Sequence, residues 1–201
     1  MSTYRVLAAA SDGLRRVLWS AISADPVTRS IVGTEDNIAL LNPTETAKDS
    51  SRQISLWLYH VSEDEFCKNR EPVRLADGRS QPAPLALDLY YLLTPFARTG
   101  ESDHLVLGRC LQTFHDQAVV RIVDPTAGVN INEELRITLF RRSLDEISQV
   151  WQALREPYRL SICYQVRVSH IDSERYDASA PVIDVSGLWQ QGVGTIERVS
   201  S

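Results

Sequence analysis

The side chains in this chain that could do chemistry are its histidines His60, His104, His115 and His170, the acidic run Glu63-Asp64-Glu65, and the cysteines Cys67, Cys110 and Cys163. Metal ligation or acid–base catalysis needs two or more such groups to converge on one point. His104 and His115 share one face of a predicted helix but stand three turns apart, too far to ligate one ion. A buried, hydrogen-bonded histidine is the simpler reading of both. His115 and Asp116 are sequence neighbours, which do not face each other on a helix. His60 reads as a packed or edge residue of a strand, and His170 points with the apolar set of the last strand. The acidic run could be imagined around a cation, but a charge run after a strand is more simply a solvated loop. The cysteines are odd in number and far apart. That is neither a disulfide framework nor a zinc pattern, and it fits a reducing compartment.

Motif searches end the same way. There is no Gly-x-x-x-x-Gly-Lys, no Gly-x-Gly-x-x-Gly, no His-Glu-x-x-His and no Gly-x-Ser-x-Gly, and "QGVGTIE" is too short and too terminal to open a dinucleotide site. The sequence therefore nominates no catalytic, cofactor-binding or metal residue, and the expectation is a protein that is not an enzyme. A net charge of −5 and a pI near 5.4 argue against nucleic acid or an acidic membrane as partner. No apolar run approaches the roughly 18 residues of a membrane span, so direct membrane insertion is not expected. The start, "MSTYRVLAAASDGLRR", has too short an apolar stretch for a signal peptide and reads as a helix of a cytoplasmic protein.

The elements themselves are well marked. Leu7, Ala10, Leu14, Val17, Leu18 and Ala21 give an N-terminal helix one apolar side. Gly13 weakens it by about 1 kcal/mol, so a start at Ser11 is expected. Between Asp25 and Arg52 only Ile38–Leu41 reads as a packing segment. "ISLWLYHV" (Ile54–Val61) is a strand with apolar residues on both faces, and Asp77-Gly78 marks a hairpin turn. In "LALDLYYLLTPFA" the alternation of Leu85, Leu87, Leu89, Tyr91 and Leu93 with Ala86, Asp88, Tyr90 and Leu92 marks a central strand. His104, Leu107, Gly108, Leu111, Phe114, His115 and Ala118 form a helical stripe, in which Gly108 suggests close packing.

Leu135, Ile137 and Leu139 then alternate as a strand, and Ser143 and Glu146 form a capping box that opens a helix with Leu144, Ile147, Trp151 and Leu154 inward. Pro157 stops that helix. A last strand over Tyr158–Ile171 would be roughly 45 Å long, so it must bulge or project beyond the domain. The expected class is α+β: a mixed, largely antiparallel sheet covered by helices on one face. Residues 1–171 make the domain and 172–201 a C-terminal arm or tail. On that polar arm Val182, Ile183, Val185 and Trp189 have no local core. With Arg141 and Arg142 they are the candidate interface residues.

Four segments taken together, Leu87–Ala97, Leu107–Asp116, Glu134–Leu154 and Pro157–Val168, resemble the N-terminal domain family of cap, or tail-terminator, proteins from contractile injection systems, which are phage-tail-like machines. The resemblance runs from about Leu7 to Ile171 and implies a tail-terminator-like fold. It also implies a structural protein: a homo-hexameric ring that ends the inner tube and the sheath, with the sheath and inner tube proteins as partners. Such a ring assembles in the cytoplasm, into a particle that can be released. Sheath subunits of these machines join by sharing β-strands, so a cap must satisfy the last free strand edges and offer none. Two rival readings exist: an oligomeric protein-interaction adaptor unrelated to tails, and a small metal-dependent hydrolase using His104, His115 and Glu63–Glu65.

Overall fold

The computed structural model describes residues 5–65, 71–74, 79–122, 133–171 and 177–178. In chain order they form α1 (Val6–Ala24), α2 (Pro26–Val32), a 3-10 turn (Glu35–Asn37), β1 (Ile38–Ala39), α3 (Pro43–Ala47) and β2 (Ile54–Glu63). β3 (Val73–Arg74), β4 (Arg79–Gln81), β5 (Leu85–Pro95), α4 (Gly100–Asp116) and β6 (Val119–Ile122) follow. The described chain ends with β7 (Glu133–Leu139), α5 (Leu144–Leu154), β8 (Ile162–Ile171) and β9 (Asp177–Ala178). Six strands make one sheet in the order β1-β2-β5-β8-β7-β6, parallel only between β1 and β2. β3, β4 and β9 make a small second sheet, antiparallel throughout.

β5 is the central strand that its alternation predicts. Leu89, Tyr91 and Leu93 are fully buried on the face that meets α1 and α4. Each such side chain contributes about 1.5–3 kcal/mol by leaving water. The polar tip of Tyr91 meets Ser11 Oγ at 2.8 Å, and burial raises its hydroxyl to about 12. α1 runs unbroken from Val6, so the helix does not start at Ser11. Gly13 is tolerated because α1 crosses Ile122 of β6 there, and a Cβ would overlap the Ile122 side chain. α4 is rotated from its predicted stripe: Val106, Leu107, Cys110, Thr113 and Phe114 face inward, while His104, Gly108 and His115 are exposed. A Cβ added at Gly108 would meet no neighbouring element within 4 Å.

Residues 25–52 pack more than expected. Asp25 and Asn42 cap α2 and α3, each with proline in the first turn, and bury Thr28, Val32, Pro43 and Thr46. The hairpin pairing of Val73 with Gln81 and Arg74 with Ser80 is present, while Asp77-Gly78 lies outside the described residues.

The α+β class and the largely antiparallel sheet are those expected, and α1 and α4 cover one face of the sheet as predicted. α5 adds a layer on the opposite face, over Leu92 and Cys163, with Trp151 buried between them. The Ser143–Glu146 capping box is formed, and Trp151 Nε1 donates to Ser161 Oγ at 3.2 Å. Leu144, predicted inward, is 63% exposed because it precedes the turn that meets the sheet. β8 starts at Ile162 and bulges: Leu85 pairs with Ile171 but Leu87 with Val168.

Candidate assembly interface

Among the described residues, β2 lies next to the edge of the large sheet. β1 is only two residues long and pairs with Ile54 and Ser55 alone. From Trp57 to Glu63 the outer side of β2 has no described strand beside it. A bare edge is a template for another strand. β2 is not flat there. Leu58 pairs with Tyr91 and His60 with Tyr90, which leaves Tyr59 as the extra residue of a bulge. The bulge brings both Tyr59 and His60 against Tyr90, with ring centroids 6.5 and 5.3 Å away.

Next to this edge lies a cleft of about 370 Å³ under α5, lined by Tyr59, Arg142, Glu146, Ile147, Gln149, Val150, Ala153 and Cys163. Burial raises the Tyr59 hydroxyl to about 12 and pushes the Cys163 thiol up as well. The Tyr59 hydroxyl is shielded from solvent and has the Arg142 guanidinium and the Cys163 thiol beside it. Sequence reading missed this site. Its one signal was the apolar character of both faces of Ile54–Val61, which requires a second covering layer.

Arg141 and Arg142, between β7 and α5, differ sharply. Arg141 is exposed. Arg142 lies over the Phe140 ring at 4.7 Å and places Nη1 2.7 Å from Glu146 Oε1. Glu146 is held below its ordinary value, first by the Ser143 backbone N–H and next by Arg142. Val182, Ile183, Val185 and Trp189 lie outside the described residues, as does nearly all of the expected arm. Cys67 also falls outside them, and the side chain of His170 is not described.

The remaining chemistry-bearing residues do not converge. His60, His104 and His115 are exposed and separate. Glu63 and Glu65 are exposed, whereas Asp64 is buried, correcting its reading as part of a solvated loop. It is buried because Arg167 of β8 reaches it. Among the described residues no three His, Cys, Asp or Glu side chains could hold a metal ion. No described helix is long and apolar enough to cross a membrane.

The profile of the Pvc16 N-terminal domain matches residues 9–184. The chain belongs to the Pvc16 N-terminal domain family. Two solved structures share its fold. One is the sheath/tube terminator of PVC, an extracellular contractile injection system, in the extended state. It has a TM-score of 0.61 and 19% identity, over 100% of this chain and 66% of that one. The other is the tube-terminating cap of the anti-feeding prophage, with a TM-score of 0.58 and 16% identity, over 94% of this chain and 60% of that one. This Pvc16 N-terminal domain chain thus spans about two thirds of the first neighbour. No curated protein sequence matches it. The resemblance read from the four segments is borne out in family and in fold.

Proposed function

We propose that this chain is a structural cap that terminates the sheath and inner tube of a contractile, phage-tail-like injection system. It acts as a homo-hexameric ring and catalyses no reaction. The observation that carries the reading is the shared fold with two terminators, across the whole of this chain in one case and nearly all of it in the other. Family membership over residues 9–184 supports it. A ring needs a head-to-tail interface that closes after a fixed rotation. Arg141, exposed at the β7–α5 corner, and the C-terminal arm over 172–201 are the surfaces assigned to contacts with neighbouring copies, the sheath protein and the tube protein. The cap assembles in the cytoplasm and leaves the cell only with a released particle.

Negative-stain imaging of the purified protein tests this directly. Six-membered rings with a central opening are expected. A monomer with measurable turnover, or with a stoichiometric metal, would overturn the reading.

A further inference from the structure

The C-terminal cap of α5 carries strain that its own fold does not require. Arg155 sits there at φ 58° and ψ 31°, in the left-handed region. Glycine is the usual residue at such a position, because a Cβ is crowded in that conformation. Among the described residues Arg155 is the one non-glycine with a positive φ. Its backbone N–H donates to the Gln152 carbonyl at 3.0 Å, a bond that glycine would make equally well. Its side chain is exposed and forms no hydrogen bond or ion pair among the described residues, Glu156 beside it included. Strain kept for a side chain that does nothing for its own fold points to a use outside it.

The connection that follows is held rigid and displays its side chains. Tyr158 packs edge-on against Trp151, with ring centroids 6.4 Å apart, yet remains 46% exposed. Arg159 lies over the Phe96 ring at 4.6 Å and reaches Asp103 at 3.2 Å. Leu160 is exposed as well. Tyrosine and arginine dominate binding at protein interfaces, and side chains already ordered lose little freedom on association.

We propose that Arg155–Leu160 is one half of the contact between neighbouring copies of this chain, and that the other half is the opposite end of the sheet, around Glu65. The proposal rests on the ring reading above and names its interface. β8 begins at Ile162, just after the Arg155–Leu160 connection, and Ile162 pairs with Leu93 near the Pro95 end of β5. β2 starts at that same end, with Ile54 opposite Pro95, and finishes at the other, with Glu63 opposite Leu87. Glu65 follows there, exposed, and Val61 and Leu85 at that end are exposed apolar side chains. One end therefore offers a guanidinium with Tyr158 and Leu160, the other a carboxylate with Val61 and Leu85. The two match in charge and in apolar character. Because they lie at opposite ends of one molecule, copies join head to tail, the type of contact from which a closed ring is made.

Sedimentation velocity and thermal melts of the full chain test this together. Arg155→Gly should raise the thermal midpoint by about 2–4 °C, by relieving the left-handed strain, while weakening self-association about tenfold. A purely structural residue would not move the two readouts in opposite directions, so a falling midpoint would overturn the proposal. Arg155→Glu and Glu65→Arg should each abolish rings, and the double variant should recover them at the same protein concentration. Rings that persist in Arg155→Glu, or a double variant that stays dissociated, would overturn the proposed contact while leaving the capping reading intact. A monomeric wild-type chain would overturn both.

Discussion

Arg167 Nε lies 2.8 Å from Oδ2 of Asp64, a side chain only 1% exposed, and 3.4 Å from Oδ1 of Asp88, its register partner on β5. On its other side Arg167 faces Arg136 of β7 directly, a like-charge pair that would weaken the sheet without the two carboxylates. Replacing Arg167 by Met removes the cation from two buried carboxylates. The expected loss is about 2–3 kcal/mol, below the full cost of breaking a buried pair because Arg167 is 42% exposed. Urea unfolding measures it. Adding Asp64→Asn to Arg167→Met should recover part of the loss, and no recovery would show that Asp64 is stabilised by something other than Arg167.

Gly13 and Ile122 should show a sign reversal. Gly13→Ala alone drives a methyl into Ile122 and is expected to cost about 1–3 kcal/mol. In an Ile122→Ala background the same change should stabilise, by up to about 1 kcal/mol, through helix propensity alone. A double-mutant cycle on thermal unfolding tests this, and additivity would refute the packing explanation.

Glu146 links α5 to pH. Its carboxyl is lowered from the ordinary 4.5 by the Ser143 backbone N–H first and by Arg142 next. A lowered folded value means that the stabilisation is complete above the unfolded value and disappears as pH falls through the folded one. The first turn of α5 should therefore loosen on acidification below 4.5. NMR titration of the Glu146 amide reads the change, and Glu146→Gln should remove that step while leaving the helix in place.

The two neighbouring arginines should separate fold from assembly. Arg141→Glu changes an exposed side chain, so unfolding should be unaffected while ring formation or sheath binding weakens. Arg142→Ala removes the contacts to Glu146 and Phe140 and should lower stability by about 1 kcal/mol. Sedimentation velocity and thermal melts of both variants give the comparison. Weaker folding in Arg141→Glu than in Arg142→Ala would reverse the assignment.

Deletion of Ser173–Ser201 should leave the six-stranded sheet folded, because every strand of it ends by Ile171. The same deletion should produce sheaths of irregular length in assembled particles. Normal sheath lengths on electron micrographs would remove the arm from the capping mechanism.

The features legible in the sequence were those encoded by neighbouring residues. Alternation through Leu87–Leu93 marked the central strand, and Ser143 with Glu146 fixed the start of α5, because both rest on contacts a few residues apart. What was misread depends on partners distant in sequence. The acidic run hid a buried Asp64 because Arg167, which reaches it, lies on another strand. The α4 stripe was misplaced because it took in Gly108 and His115 and passed over Val106 and Cys110, and the α1 surface that selects the inward face lies far away in sequence. Strand order has no local signature at all, so the cleft beside Tyr59 could not be seen before the sheet was assembled.

The position of β5 between β2 and β8 also sets the timing of folding on the ribosome. β2 precedes β5 in the chain, but β8 is the last strand of the large sheet, and β7 and β6 join its strand ladder through β8. Until Ile162–Ile171 has emerged, the nascent chain carries the β1-β2-β5 ladder and the β6–β7 hairpin with no strand between them, a state that invites mispairing with other chains.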